Sequence, residues 1–325
     1  MTDRIDFSGQ VAVVTGAGGG LGSAFCKELA RRGAAVVVND LGGSTTGQGG
    51  SSELADHVVD EIRAAGGKAV ANYDSVATEA GGQAIVQAAL DAFGRIDIVI
   101  SNAGNQRNGR FGELTAEDIE AVYAVHVKGS FFVVQPAYRE MVRQGYGRII
   151  LVSSQSGIFG NPIRGNYGSA KTAMIGLMNV IAQEAPEGVA VNCLFPNAIG
   201  GRLGGGPIDE RPDRDFLIAA GARSRQYIEG MDPSFVAAMA CYMASSACAT
   251  SQNMYSVLGG KYSRIFVGLT QGWYQPGAVA PSAEDVAAHI AEIDDRSVYD
   301  VPLSGLDEMD TVIAAQQRLQ ALQAE

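Results

Sequence analysis

The stretch Val11-Ala12-Val13-Val14-Thr15-Gly16-Ala17-Gly18-Gly19-Gly20-Leu21-Gly22 decides how this chain folds. Its first four residues are a continuous apolar run of strand length. The glycines break that run before a helical pattern that continues to about Arg32. Strand, glycine turn and helix in that order let the backbone turn tightly. They also bring amides at the helix N-terminus against a pyrophosphate, where the helix dipole favours negative charge. The spacing Gly16-x-x-x-Gly20-x-Gly22 differs from the common G-x-G-x-x-G, so a glycine-rich turn without a ligand stays open on these residues alone. Gly16, Gly20, Leu21 and Gly22 are the first candidate cofactor contacts.

The next apolar run, Ala35 to Asn39, ends at Asp40, about twenty residues past the turn. A carboxylate there accepts hydrogen bonds from the adenosine ribose and repels the extra phosphate of NADP, which points to NAD. The plain alternative is a turn former. Leu41 to Ser52, LGGSTTGQGGSS, reads as a polar surface loop without chemistry. A helix to about Ala65, a strand over Lys68 to Asn72, a helix over Thr78 to Phe93 and a strand over Ile96 to Ser101 follow. This alternation predicts an α/β fold, a Rossmann-type doubly wound parallel sheet covered on both faces. Asp74-Ser75-Val76, Asn102-Ala103-Gly104 and Phe195-Pro196-Asn197-Ala198-Ile199 fall just beyond strand ends, the edge where such sheets bind ligands. Crowded glycine, proline and charge over 200–215 suggest a mobile flap. A helical pattern from Thr115 to Arg143, interrupted by Pro136, carries His126, which on spacing alone reads as a packed core residue.

Proton chemistry is suggested further on, in Ser153 to Lys171, SSQSGIFGNPIRGNYGSAK. Tyr167 and Lys171 are four apart and share a helix face, and Ser154 follows a strand-like run. A base working at neutral pH needs its phenol about three units below 10, roughly 4 kcal/mol. One ammonium about 4 Å away gives about that much at an effective dielectric of about 20, so a partly shielded site is required. Ser154 would hold a substrate oxygen while Tyr167 exchanges the proton.

Composition excludes several classes. The 325 residues are 46% hydrophobic and 18% charged with a formal charge of −11, which argues against nucleic acid or an anionic membrane as partner. Cys26, Cys193, Cys241 and Cys248 have apolar neighbours and no Cys-x-x-Cys pairing, so reduced buried thiols are expected. His57, His126 and His289 form no ligand-spaced cluster, and no metal is expected. With no leader-like or membrane-spanning run, a cytoplasmic protein is expected. Residues 1–260 read as a single catalytic domain and 261–325 as a C-terminal extension. In the extension, Pro281-Ser282-Ala283-Glu284-Asp285 opens a capped helix, and Leu306, Met309, Val312, Ile313, Leu319 and Leu322 form a stripe. That stripe packs either on its own domain or at a subunit interface of a homodimer or homotetramer.

Thr15-Gly16-x-x-x-Gly20-x-Gly22, Asn102-Ala103-Gly104, Ser154 and Tyr167-x-x-x-Lys171, in this order, resemble the short-chain dehydrogenase/reductase family over residues 8 to about 260. The resemblance implies a nicotinamide cofactor and hydride transfer to or from an alcohol carbon. It casts Tyr167 as general base or acid, Lys171 as the group that lowers the phenol pKa and binds the nicotinamide ribose, and Ser154 as the holder of the substrate oxygen. Asn102 would contact the cofactor, and Asp74 with Ser75 the adenine. VVVNDLGG, GGKAVANYDSV, VHVKGSF, YGRII and SGIFGN look like the (3R)-hydroxyacyl-CoA dehydrogenase branch within multifunctional enzymes, a branch also linked to steroid oxidation. Most of the family has asparagine where this chain has His126, and the resemblance moves that histidine to a proton relay. The implied reaction is NAD-dependent oxidation of a 3-hydroxyacyl-CoA. A dehydrogenase of free hydroxysteroids is the alternative within the fold. A non-catalytic cofactor-binding scaffold is disfavoured by the complete Ser154, Tyr167 and Lys171 set. Arg107, Arg110, Arg164 and Arg202 are possible phosphate contacts.

Overall fold

A computed structural model describes the backbone of residues 4–198 and 213–324. The chain divides into two compact units, Met1–Arg264 and Ile265–Glu325. The first opens with β1 (Val11–Thr15), α1 (Gly20–Arg31), β2 (Ala35–Asn39), α2 (Glu53–Ala64), β3 (Lys68–Asn72), α3 (Glu79–Phe93) and β4 (Ile98–Ser101). It continues with α4 (Ala116–Tyr123), α5 (Gly129–Gln144), β5 (Gly147–Val152), α6 (Gln155–Ile158), α7 (Gly165–Glu184) and β6 (Val189–Asn197). After α8 (Arg214–Ser224), α9 (Pro233–Ala244) and β7 (Met254–Leu258), β8 (Lys261–Ile265) ends it at the boundary.

The strands form one sheet in the order β3-β2-β1-β4-β5-β6-β7-β8. Pairing is parallel from β3 through β7. Val13 lies opposite Val37 on one side and Val99 on the other. The winding therefore reverses between β1 and β4, and a crevice opens at their carboxyl ends. Valine and isoleucine fill these strands because helices cover both faces, and Val13, Val37, Val99 and Ile150 are fully buried. Buried Asp97 fixes the start of β4 beside β1. It accepts from Val11 N at 2.9 Å and from Arg95 Nε at 2.8 Å.

The helix over 115–143 differs from its sequence reading. Thr115 and Asp118 form a capping box that starts α4. Pro136, however, lies inside α5 without ending it. Proline removes the N–H that would bond the Phe132 carbonyl, and Gly82 of α3 packs on that carbonyl. A Cβ at Gly82 would lie 2.3 Å from Phe132 O, so the glycine makes the approach possible. The interruption falls earlier, in a π-helical turn over Ala124–Lys128 that buries His126.

The second unit holds β9 (Leu269–Thr270), α10 (Ala283–Ala288), α11 (Ile290–Ile293), β10 (Tyr299–Asp300) and α12 (Gly305–Ala324). β9 and β10 pair antiparallel. Ser282 and Asp285 form the capping box of α10. Phe266 stacks on Tyr299 at 5.6 Å and Trp273 on His289 at 4.0 Å. Leu306, Met309, Val312 and Ile313 of the stripe are exposed. Among the described residues no helix is long and apolar enough to cross a membrane, and no cluster of three or more His, Cys, Asp or Glu is placed to hold a metal. All four cysteines are free and buried. Most of the suggested flap over 200–215 lies outside the described residues, as do Ile199 and Arg202.

Candidate active site

The strand ends open on one cleft of roughly 380 Å³. Gly16, Gly20, Leu21, Gly22, Asp40, Asp74, Ser75, Asn102, Ala103, Gly104, His126, Ser154, Tyr167, Lys171 and Pro196 all line it. At one end, Gly16 adopts φ +63°, and a Cβ on Gly22 would lie 2.3 Å from Gly16 O. Glycine is what lets α1 begin so close to the turn. Neighbouring strands hold the turn in place. Asn102 Nδ2 donates to the carbonyls of Thr15 and Gly16 at 2.9 and 3.0 Å. Thr15 Oγ1 accepts from the Asn102 and Ala103 amides at 3.0 Å each. Asp40 Oδ2 accepts from Gly18 N at 2.8 Å and Oδ1 from Gly42 N at 2.7 Å. Asp40 and Asn102 thus brace the backbone in addition to facing the cleft. Each Asp40 oxygen keeps a further lone pair for a ribose hydroxyl. Asp74 Oδ2 accepts from Asn72 Nδ2 at 2.7 Å, and Ser75 Oγ accepts from Ala77 N at 3.2 Å. A side-chain-free cradle at a helix N-terminus, with a carboxylate at the end of β2, fits a dinucleotide.

The loop after β2 has more to do than its polar composition suggests. Gln106 N donates to Thr45 O at 2.9 Å and Arg107 Nε to Thr46 O at 3.4 Å. The loop therefore crosses to the segment after β4, and Gly43, Ser44, Thr45 and Gly47 line the cleft.

At the other end, α7 carries Tyr167 and Lys171, 7% and 5% exposed. Ser154 caps α6, its Oγ accepting from Ser156 N at 3.1 Å. Ser153 instead donates its hydroxyl to Lys171 O at 2.7 Å, so of the two serines it is Ser154 that reaches the phenol. Burial raises the Tyr167 pKa above its ordinary value, while the Ser154 hydroxyl, the Arg164 guanidinium and the Gln106 amide oppose that rise. Lys171, expected from the sequence to lower the phenol, lies over the ring of Tyr167 and is also held by the backbone. Lys171 Nζ donates to Val152 O at 2.6 Å and sits 5.8 Å from the Tyr167 ring centroid. The Arg164 guanidinium is a second cation that favours the ionised phenol. Burial also pushes the Lys171 pKa down to about 8.

His126 meets Tyr167 edge to face, ring centroids 5.3 Å apart. Its Nε2 accepts from Asn105 N at 3.1 Å and lies 2.9 Å from Asn105 O. Burial, then the Lys171 ammonium, push its pKa down to about 3. The ring is accordingly held neutral, with one nitrogen able to accept and the other to donate a proton. It is at once a packed residue and a neighbour of the phenol. Gln106 escaped the sequence reading, and Arg164 entered it only as a possible phosphate contact. Their signal was position alone, on the ligand edge after β4 and just before α7. Gln106 Oε1, Asn105 Oδ1, His126 Nδ1 and Arg164 Nε are all buried without a hydrogen-bond partner among the described residues.

Residues 10–205 match the family model described as short chain dehydrogenase. The chain is 43% identical over 291 residues to a putative short-chain type dehydrogenase/reductase of Mycobacterium tuberculosis, covering 89% of this chain and 95% of that protein. To peroxisomal multifunctional enzyme type 2 of Mus musculus it is 41% identical over 266 residues, 82% of this chain but only 34% of that protein. The solved structure of the full-length Drosophila melanogaster multifunctional enzyme type 2 superposes with a TM-score of 0.76 at 30% identity, covering 97% of this chain and 51% of that one.

Proposed function

We propose that this chain, which belongs to the short-chain dehydrogenase family and is an oxidoreductase, oxidises the 3-hydroxyl of a fatty or steroid side-chain 3-hydroxyacyl-CoA to the ketone, with NAD as acceptor. The observation that carries the reading is the meeting of buried Tyr167 and Ser154 with the glycine turn in one cleft. The choice of NAD rests on the Asp40 carboxylate, and the acyl-CoA on the likeness to multifunctional enzymes. A nicotinamide bound in the cleft supplies the hydride acceptor. Ser154 holds the substrate hydroxyl beside Tyr167, and Tyr167 takes the hydroxyl proton as the adjacent C–H is lost. It does so in a deprotonated form that burial opposes and that the Ser154 hydroxyl, the Arg164 guanidinium and the Gln106 amide favour. Lys171 is the group for the nicotinamide ribose, and His126 supports the ring of the base.

The test is NADH formation by the purified protein across (3R)-hydroxyacyl-CoAs, steroid acyl-CoAs and free hydroxysteroids, with NADP in parallel. Tyr167→Phe is expected to lower kcat by at least roughly 10²–10⁴-fold while NAD still binds. A mutant that keeps substantial activity would sink the mechanism. Turnover of free steroids alone would overturn the acyl-CoA assignment.

A further inference from the structure

Two unusual features coincide at the start of α7. Arg164 has a buried Nε with no hydrogen-bond partner among the described residues, and the residue lines the same cleft as Ser154 and Tyr167. The residue before it, Ile163, is β-branched yet adopts φ +59°. Such a residue in the left-handed region is an outlier that persists only when its surroundings impose it. Here Gly109 N donates to Ile163 O at 3.0 Å, and Gly109 also bridges to Arg164. The segment after β4 therefore clamps the strained residue and presents the arginine. Arg107, also on that segment, is by contrast already occupied, 2.8 Å from Glu117 and 3.6 Å from Asp118. A guanidinium N–H without an acceptor, beside the reacting phenol, suits a substrate that brings an acceptor of its own.

We infer that Arg164 is a substrate-binding residue whose Nε–H donates to a carbonyl oxygen placed two carbons from the reacting carbinol, as in a 3-hydroxyacyl thioester. A β-hydroxy carbonyl can fold with both oxygens on one side, so one reaches Ser154 and Tyr167 while the other reaches Arg164. An isolated secondary alcohol has nothing to give this donor. The inference rests on the hydroxyacyl reading above and deepens it, making the thioester carbonyl a determinant of specificity.

The experiment compares wild type, Arg164→Met and Arg164→Lys with (3R)-3-hydroxybutyryl-CoA and with 2-octanol, alongside NAD binding and thermal unfolding. Arg164→Met is expected to raise KM for the thioester about 10–100-fold, at least tenfold more than its effect on KM for the alcohol. Because Arg164 also acts on the phenol, the pH profile of kcat moves to higher pH with both substrates. Arg164→Lys keeps the charge, so it should restore the pH profile without restoring the thioester KM. Equal KM changes for both substrates, or none, in a variant that still folds and binds NAD would overturn the inference while leaving the hydroxyacyl reading standing. A wild type that oxidises 2-octanol and no hydroxyacyl-CoA would overturn both. If Arg164→Met fails to fold, the lysine variant decides, since an unchanged thioester KM there overturns the inference.

Discussion

The two ends of the cleft are built on opposite terms. At the cofactor end the polar groups are occupied within the fold. Asp40 accepts two backbone amides, Asn102 donates to two carbonyls, and Thr15 accepts two amides. At the substrate end, Gln106 Oε1, His126 Nδ1 and Arg164 Nε are buried without a hydrogen-bond partner among the described residues. Buried polar groups are ordinarily paired, because leaving one unmade costs about 1–3 kcal/mol. A satisfied site holds its shape before anything binds, whereas a site with orphans gains its missing hydrogen bonds from what enters. Substitutions at the first end should therefore read out mainly in stability at neutral pH, and those at the second mainly in kinetics or in the pH dependence of stability.

The largest effect expected from breaking this contrast is at Asp40. Asp40→Ala strips the Gly18 and Gly42 amides of a charged acceptor, each such bond contributing about 1.5–3 kcal/mol. Denaturant unfolding should show a loss of about 3 kcal/mol, and, if the carboxylate also selects the cofactor as proposed, calorimetry should show NADP binding gaining relative to NAD. Unchanged stability would mean the carboxylate does not hold the turn.

A smaller effect follows from His126, whose folded pKa of about 3 lies below its ordinary 6.5. Between those values the unfolded chain binds a proton that the folded one refuses, so stability falls as pH drops below 6.5, by up to about 1.4 kcal/mol per pH unit. His126→Gln removes this contribution. Unfolding at pH 7 and pH 5 should therefore show the variant losing about 2 kcal/mol less than wild type on acidification. Equal losses would show that the ring is not held neutral.

The smallest stability change is expected at Gln106. Gln106→Leu removes an orphaned oxygen, so its thermal midpoint should hold or rise, within about 0.5 kcal/mol. It also removes an amide that acts on the phenol, and kcat/KM should fall about tenfold. A clear loss of stability would place Gln106 with the occupied groups and erase the contrast.

Much of the cofactor end was legible because its signals are local. The run Val11–Val14, the glycines after it and the acidic residue ending β2 each describe one segment's own backbone, and the parallel sheet follows from how such segments alternate. Tyr167 and Lys171 were legible for the same reason, as two positions on one helix face. Pro136 misled because the break in a helix depends on what packs against it, and Gly82 comes from another helix.

By itself, then, the sequence determined the doubly wound sheet, the glycine cradle and the placement of Ser154, Tyr167 and Lys171 on the ligand edge. Only the tertiary structure decided how those groups are tuned. It buried the phenol, turned Lys171 to the Val152 carbonyl, set His126 against the ring and brought Gln106 and Arg164 to it from separate segments. The physical reason is range. Hydrophobic period and turn chemistry are written over a few neighbouring residues, but desolvation and Coulomb interaction depend on every group that folding brings near, whatever its distance along the chain.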